Sequence, residues 1–184
     1  AEFGLPVAMK IVSPQILHKT DAGGVVVGIK SDREVRQAFR DIVKRAASYN
    51  PDAVIQGVLV QKMSLPGEEV ILGLNRYAMG PLLMFGMGGI FVEVFQDVAF
   101  RLAPIGKAEA DGMIREIKSF RLLSGFRGRP MADLAALERA LVNLSALAVN
   151  HPEISEMDIN PILVHPEGEG ATAVDCRIIL KRPG

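Results

Sequence analysis

Between residues 57 and 103 the chain reverses direction so often that only an antiparallel sheet accommodates it. Short β-rich runs at 57–63, 69–74 and 82–85 are separated by Leu65-Pro66-Gly67 and Met79-Gly80-Pro81. Parallel neighbours would need crossovers of about a dozen residues or more, for which there is no room. After Gly86-Met87-Gly88-Gly89 a further strand pair is expected at 90–94 and 99–103.

On either side of this region strands and helices mix. Upstream, apolar runs at 6–12 and 25–29 flank the polar, glycine-containing stretch 13–24, which predicts two strands joined by a long loop. Ser31 stands three residues before Glu34 as a capping box, and Val35, Phe39, Ile42, Val43 and Ala46 follow at helical spacing. A helix is expected over 32–47, stopped by Asn50-Pro51. Downstream, helices are expected over 107–120 and 131–150, divided by the loop 125–130, the second with Leu134, Leu137, Leu141, Leu144 and Ala148 on one face. Strands at 154–159, 162–165 and 171–180 close the chain, the last two joined by a turn from Pro166 to Gly170. The class is α+β.

Composition narrows the functions available. The 184 residues, 49% hydrophobic, suffice for one core or two small lobes. With 21 basic and 21 acidic residues the net charge is zero, so neither nucleic acid nor an anionic membrane is an expected partner, and an anion site must be local. The single cysteine, Cys176, excludes a disulfide framework and a cysteine zinc cluster, and a cytoplasmic location is expected. No apolar run approaches the roughly 20 residues of a membrane helix, and no signal segment opens the chain. The first strand starts with no helix before it, which suggests a fragment of a longer polypeptide.

In Ser155-Glu-Met-Asp-Ile-Asn-Pro161, the residues Glu156, Asp158 and Asn160 recur at every second position, so on a strand they share one face. If 166–170 turns a hairpin, Asp175 and Arg177 return within about two rungs of Asn160, opposed Cβ atoms in a ladder being roughly 5 Å apart. Carboxylates and an amide oxygen are hard ligands that suit magnesium, which takes one or two protein carboxylates and completes its shell with phosphates and water. A solvated polar sheet face would show the same alternation.

The stretch Lys10-Ile-Val-Ser-Pro-Gln-Ile-Leu-His-Lys-Thr-Asp-Ala-Gly-Gly-Val25 resembles the signature of the ATP-grasp domain in nucleoside-diphosphate-forming acyl-CoA synthetases, a family that includes ADP-forming acetyl-CoA synthetase and is related to the succinyl-CoA synthetase β subunit. The resemblance continues through Gly67 to Gly73, Gly80 to Glu93, Glu156 to Pro161 and Val174 to Arg177. It implies an ATP-grasp fold of two α+β lobes with mainly antiparallel sheets: a smaller nucleotide-covering lobe over 1–62 and a larger catalytic lobe over 63–184, lacking the usual helix and strand before Pro6.

For individual residues the resemblance implies magnesium on Asp158, Asn160 and Asp175, and ATP phosphates contacted by Lys10 and Arg177. The loop carrying Gly23 and Gly24 would cover the phosphates, with Gln61, Lys62 and Met63 at the adenine edge and Glu69 near the ribose. His18, which as a lone loop histidine would be plain surface, becomes a second phosphate carrier, with Lys19 beside it to balance charge. His151 and His165 have no comparable setting. Glu93 and the Gly86–Gly89 cluster would lie near the partner portion. One departure is Asn75-Arg76-Tyr77-Ala78-Met79, where the family has an acidic residue followed by phenylalanine.

The implied activity is exchange of acyl-CoA, ADP and phosphate with acid, CoA and ATP through phosphohistidine. It requires ATP or ADP, magnesium and a CoA-binding and ligase domain or subunit carrying another phosphohistidine, in an oligomeric full enzyme. The alternatives are a non-synthetase regulatory domain fused to a protein acetyltransferase, and another ATP-grasp carboxylate ligase.

Overall fold

Val7, Met9 and Ile11 alternate along β1 (Val7–Val12), and the first core forms on the side to which they point. The computed structural model describes residues 4–89 and 96–181, so the strand expected at 90–94, and Glu93 with it, lie outside the described residues. The chain divides into two compact units, Ala1–Met63 and Ser64–Gly184.

In the first unit β1 runs antiparallel between β2 (Val25–Ile29) and β3 (Gly57–Lys62). Helix α1 (Asp32–Tyr49) lays Ala38, Ile42 and Ala46 on Val7, Met9 and Ile11. The Ser31 side chain accepts the Glu34 amide at 3.3 Å, while Glu34 Oε2 reaches back to the Lys30 amide at 2.8 Å, so the cap closes one residue earlier than a standard box. Burial leaves the other face of the sheet to Ala8, Lys10, Leu59 and Gln61.

The second unit holds β4 (Glu68–Tyr77), β5 (Gly80–Met87), β6 (Val98–Leu102), β7 (Ile154–Val164), β8 (Ala171–Ala173) and β9 (Cys176–Leu180). Their order is β6-β5-β4-β7-β8, with β9 also pairing with β7, and the pairings are antiparallel. Leu72, Leu74, Leu83, Phe85 and Ala99 point to one side, where α2 (Lys107–Glu116) and α4 (Leu134–Asn150) complete the core with Ala110, Met113, Ile114, Leu137 and Leu141. Burying one such leucine contributes about 2 kcal/mol, so this cluster, rather than any surface pair, holds the unit together.

Both helices expected downstream differ, and the strand expected over 171–180 is split into β8 and β9. The helix expected over 107–120 stops at Glu116 and resumes as α3 (Phe120–Leu123), because the buried Asp97 carboxylate takes the Lys118 and Ser119 amides at 2.8 and 2.7 Å and bonds the Ser119 hydroxyl. Burial raises the Asp97 pKa, but those hydrogen bonds together outweigh it and leave the carboxyl below its usual range. The helix expected over 131–150 begins at Leu134 because Ala132 bridges to Pro166 and Asp133 serves as its cap.

Strand β7 is continuous across Asn160-Pro161, where two strands were expected. Between the pairs Leu72–Ile159 and Val70–Ile162 it advances three residues while β4 advances two, a bulge at Asn160 and Pro161. The extra residue switches the inward set from Met157 and Ile159 to Ile162 and Val164, and all four meet the same core.

Candidate functional site

On β7, Glu156 and Asp158 point away from Met157 and Ile159 and therefore away from the core. The β9 ladder sets Asp158 opposite Arg177, and the Asn160 amide donates to the Asp175 carbonyl at 3.1 Å. The sheet thus brings Asp158, Asn160, Asp175 and Arg177 to one corner. Across β4, Asp158 faces Gly73, where a Cβ would come within 3.0 Å of Met84 Cε. The Asp175 carboxylate accepts the Cys176 amide at 3.0 Å. Partial burial, then Asp175 and Asp158, push the Cys176 thiol pKa up, which leaves it a poor nucleophile.

Arg177, expected to hold a phosphate, gives its guanidinium to Glu156 in this structure. Glu156 was noted on the shared face but had no role assigned from sequence. The corner's donor chemistry fits magnesium: two carboxylates and an amide oxygen are hard ligands. Among the described residues no group of three or more His, Cys, Asp or Glu is placed to hold a metal ion.

In the first unit, Lys10 sits mid-strand between Val25 and Leu59 and is only 8% exposed. The adjoining loop is anchored by the buried Ile16 and leaves His18 exposed. The loop closes on itself: the amides of Ala22, Gly23 and Gly24 donate to the carbonyls of His18, Thr20 and Lys19 at 3.3, 2.9 and 2.8 Å. Those amides, expected over phosphates, are spent inside the loop in this conformation. Its glycines also answer a packing need. Gly23 has φ +59° with Arg45 against it, and a Cβ on Gly24 would come within 2.5 Å of Ile11 Cγ2.

Gln61 lies opposite Ala8 on β3, Lys62 ends that strand, and the Met63 amide donates to the Pro6 carbonyl at 3.4 Å. Glu69 lines a groove with Gly67, Gly88, Gly89, Phe126 and Arg129. Its carbonyl accepts the Gly88 amide at 2.7 Å, and a Cβ on Gly88 would come within 3.0 Å of Glu69 Cβ, which accounts for that glycine by packing.

His165 is buried, with Nδ1 3.1 Å from the Pro66 carbonyl and Nε2 2.8 Å from the Thr172 hydroxyl. Arg76, the departure from the family pattern, closes the end of α4 by donating to the carbonyls of Ala148, His151 and Ile154 at 2.5, 3.2 and 2.9 Å. No local pattern announced either role, since each depends on partners seventy or more residues away or across a hairpin.

Residues 1–180 match a family model described as an ATP-grasp domain. The chain is 52% identical over 180 residues to the β subunit of ADP-forming acetate–CoA ligase I from Pyrococcus furiosus, covering 97% of this chain and 77% of that subunit. It is 48% identical over 178 residues to the ADP-forming 4-hydroxybutyrate–CoA ligase of Nitrosopumilus maritimus, covering 96% of this chain and 26% of that enzyme. A solved structure of acetyl-coenzyme A synthetase 1 from Candidatus Korarchaeum cryptofilum, in complex with coenzyme A, Ca-AMPCP and HgCl+, superposes with a TM-score of 0.93 at 48% identity, over 98% of this chain and 78% of that one. Another structure of that enzyme holds coenzyme A and Mg-AMPPCP, with its phosphohistidine segment pointing towards the nucleotide site; its TM-score is 0.82 at 45% identity, over 98% of this chain and 78% of that one. Among the described residues no helix is long and apolar enough to cross a membrane.

Proposed function

The chain belongs to the ATP-grasp domain family, and from that premise we propose that it is the nucleotide-binding, phosphoryl-transferring part of an ADP-forming acyl-CoA ligase. Such a ligase exchanges acyl-CoA, ADP and phosphate for acid, CoA and ATP. The reading is carried by the corner at Asp158, Asn160 and Asp175, a hard-oxygen donor set in a chain half identical to a subunit of such an enzyme.

In this reading Asp158, Asn160 and Asp175 hold magnesium, which when bound shields the phosphate oxygens. Lys10 supplies a fixed positive charge to the same phosphates. Gln61, Lys62 and Met63 receive the adenine, Glu69 the ribose, and the loop with Gly23 and Gly24 governs access to the nucleotide. His18 is the nucleophile: a neutral imidazole nitrogen bonds to the terminal phosphorus, the bridging P–O bond breaks, and ADP leaves. The phosphoryl group then passes to a histidine of a CoA-binding and ligase portion, with which this chain forms an oligomeric enzyme. In this reading the chain works in the cytoplasm, the reducing compartment that its single cysteine suits.

The test uses ATP radiolabelled on its γ-phosphate, with magnesium and the CoA-binding partner. Acid-labile, alkali-stable label is expected on this chain and absent from His18→Ala. Undiminished label in that variant removes His18 as carrier.

A further inference from the structure

The loop that follows α3 returns to the core at Ala132, whose amide donates to the Leu123 carbonyl at 2.9 Å, and both of these residues are buried. The loop is fastened at its neck, and residues 124–130 are exposed. Within it Gly125 and Gly128 have φ +85° and +79°, and Arg127 between them has φ +53°. Glycine takes that left-handed conformation freely, whereas a side chain there is penalised. The Arg127 guanidinium carbon lies 5.2 Å from the centre of the Phe126 ring, and that of Arg121 lies 5.3 Å from it. An exposed stack of this kind returns about as much as the left-handed backbone costs, so folding gains little from an arginine at 127.

The local charge is unbalanced as well, although the chain as a whole is neutral: residues 115–129 include five basic side chains and one acidic. Arg115 is paired with Asp111 and Arg129 with Glu68, each at 2.8 Å. Among the described residues Arg121 and Arg127 form no ion pair. Stacking holds a guanidinium by its face and leaves the N–H fork in its plane, the geometry that takes a carboxylate through two parallel bonds. Phe126 itself is 37% exposed, and with Arg127 it lines the groove at Glu69.

We propose that Arg121, Phe126 and Arg127 form a docking platform for an acidic segment of the CoA-binding and ligase portion. The two guanidinium groups take carboxylates of that segment, and the ring takes an apolar side chain between them. An aromatic ring flanked by arginines is the composition of an interface anchor, and two separate forks match side chains spaced along a peptide. This rests on the partner in the reading above. Docking here sets that partner beside Glu69, where the same reading puts the ribose.

The CoA-binding and ligase portion is titrated into the full chain and association is followed by calorimetry at low and at physiological salt. The double variant Arg121→Gln with Arg127→Gln is expected to bind about 30-fold more weakly at low salt, and to lose most of the salt dependence that the unmodified chain shows. Arg127→Gly keeps the loop's backbone without the side chain. It is expected to bind about tenfold more weakly while melting no lower than the unmodified chain, a separation that a merely structural role would not give. Unchanged affinity in the double variant, or a weakening in Arg127→Gly that comes with a lowered melting temperature, overturns the proposal and leaves the nucleotide reading intact. So does release of the unmodified complex by excess inorganic phosphate at constant ionic strength, which gives the platform to phosphate, or a dimer of the chain alone that the double variant abolishes, which gives it to a second copy. Failure of the unmodified chain to bind the ligase portion overturns the partner reading and this proposal with it.

Discussion

Asp133 and Asp175 are aspartates of the same unit, one reaching the turn after β7 from outside and the other lying on the chain that returns from it, and their surroundings differ sharply. Asp133 is buried, and its carboxylate collects the amides of Ala136 at 2.9 Å, Gly168 at 3.1 Å and Gly170 at 2.9 Å. It caps α4 and ties that helix to the turn after β7 in one step. The Ala136 amide, against the cost of burial and with help from Gly170, Arg139 and Gly168, holds its carboxyl below the usual range. Asp175 is half-buried in the link between β8 and β9, beside Asn160, and its carboxylate accepts the Cys176 amide. The difference teaches where to look for chemistry: an interior carboxylate satisfied by several amides is structural, whereas one beside other oxygen donors at a sheet edge is where the metal reading proposed above can be tested.

The largest expected effect that tests this contrast is on folding. Asp133→Ala loses a helix cap and leaves two turn amides without their buried acceptor, which should cost about 3 kcal/mol in urea denaturation. A loss as small as that of a surface substitution would remove the structural half of the contrast. Next, Asp175→Ala should weaken magnesium-dependent ATP binding by about 100-fold in calorimetric titration, at the upper end of what a supporting residue is worth to a metal site. Its melting temperature should hardly move, and a collapse comparable to that of Asp133→Ala would erase the distinction.

The smallest effect is on acid sensitivity. A carboxyl whose folded pKa is depressed adds stability that is fully present above the ordinary aspartate value of about 4 and is lost as pH falls through the folded value. The urea midpoint of the unmodified chain should therefore drop more steeply below about pH 4 than that of Asp133→Asn, by at most the roughly 1.4 kcal/mol per pH unit that one proton allows. Parallel profiles would assign the acid sensitivity to other carboxylates.

Much of the candidate site was legible because strand alternation has a strict period of two. Glu156, Asp158 and Asn160 announced a shared face, and the turn at Pro166 to Gly170 announced the return that brings Asp175 and Arg177 beside them. The bulge at Asn160-Pro161 was legible only as a gap between two apparent strands. A single strand carries no record of its partner's count, and it is the comparison with β4 that exposes the extra residue. His165 looked idle because its partners Pro66 and Thr172 meet it only after β4, β7 and β8 have assembled. The early end of α2 had the same origin in Asp97, more than twenty residues from the amides that it takes.

The sequence by itself determined the α+β class, the antiparallel runs, the capped first helix and the shared strand face of Glu156 and Asp158, because each follows from local periodicity or from neighbours a few residues apart. Tertiary structure alone decided that Arg177 goes to Glu156, that the Gly23 and Gly24 amides close their own loop, and that Asp133 takes the amides of the hairpin turn. Those outcomes depend on which groups compete for one donor or acceptor at close range. That competition is settled by geometry and burial once distant strands are paired.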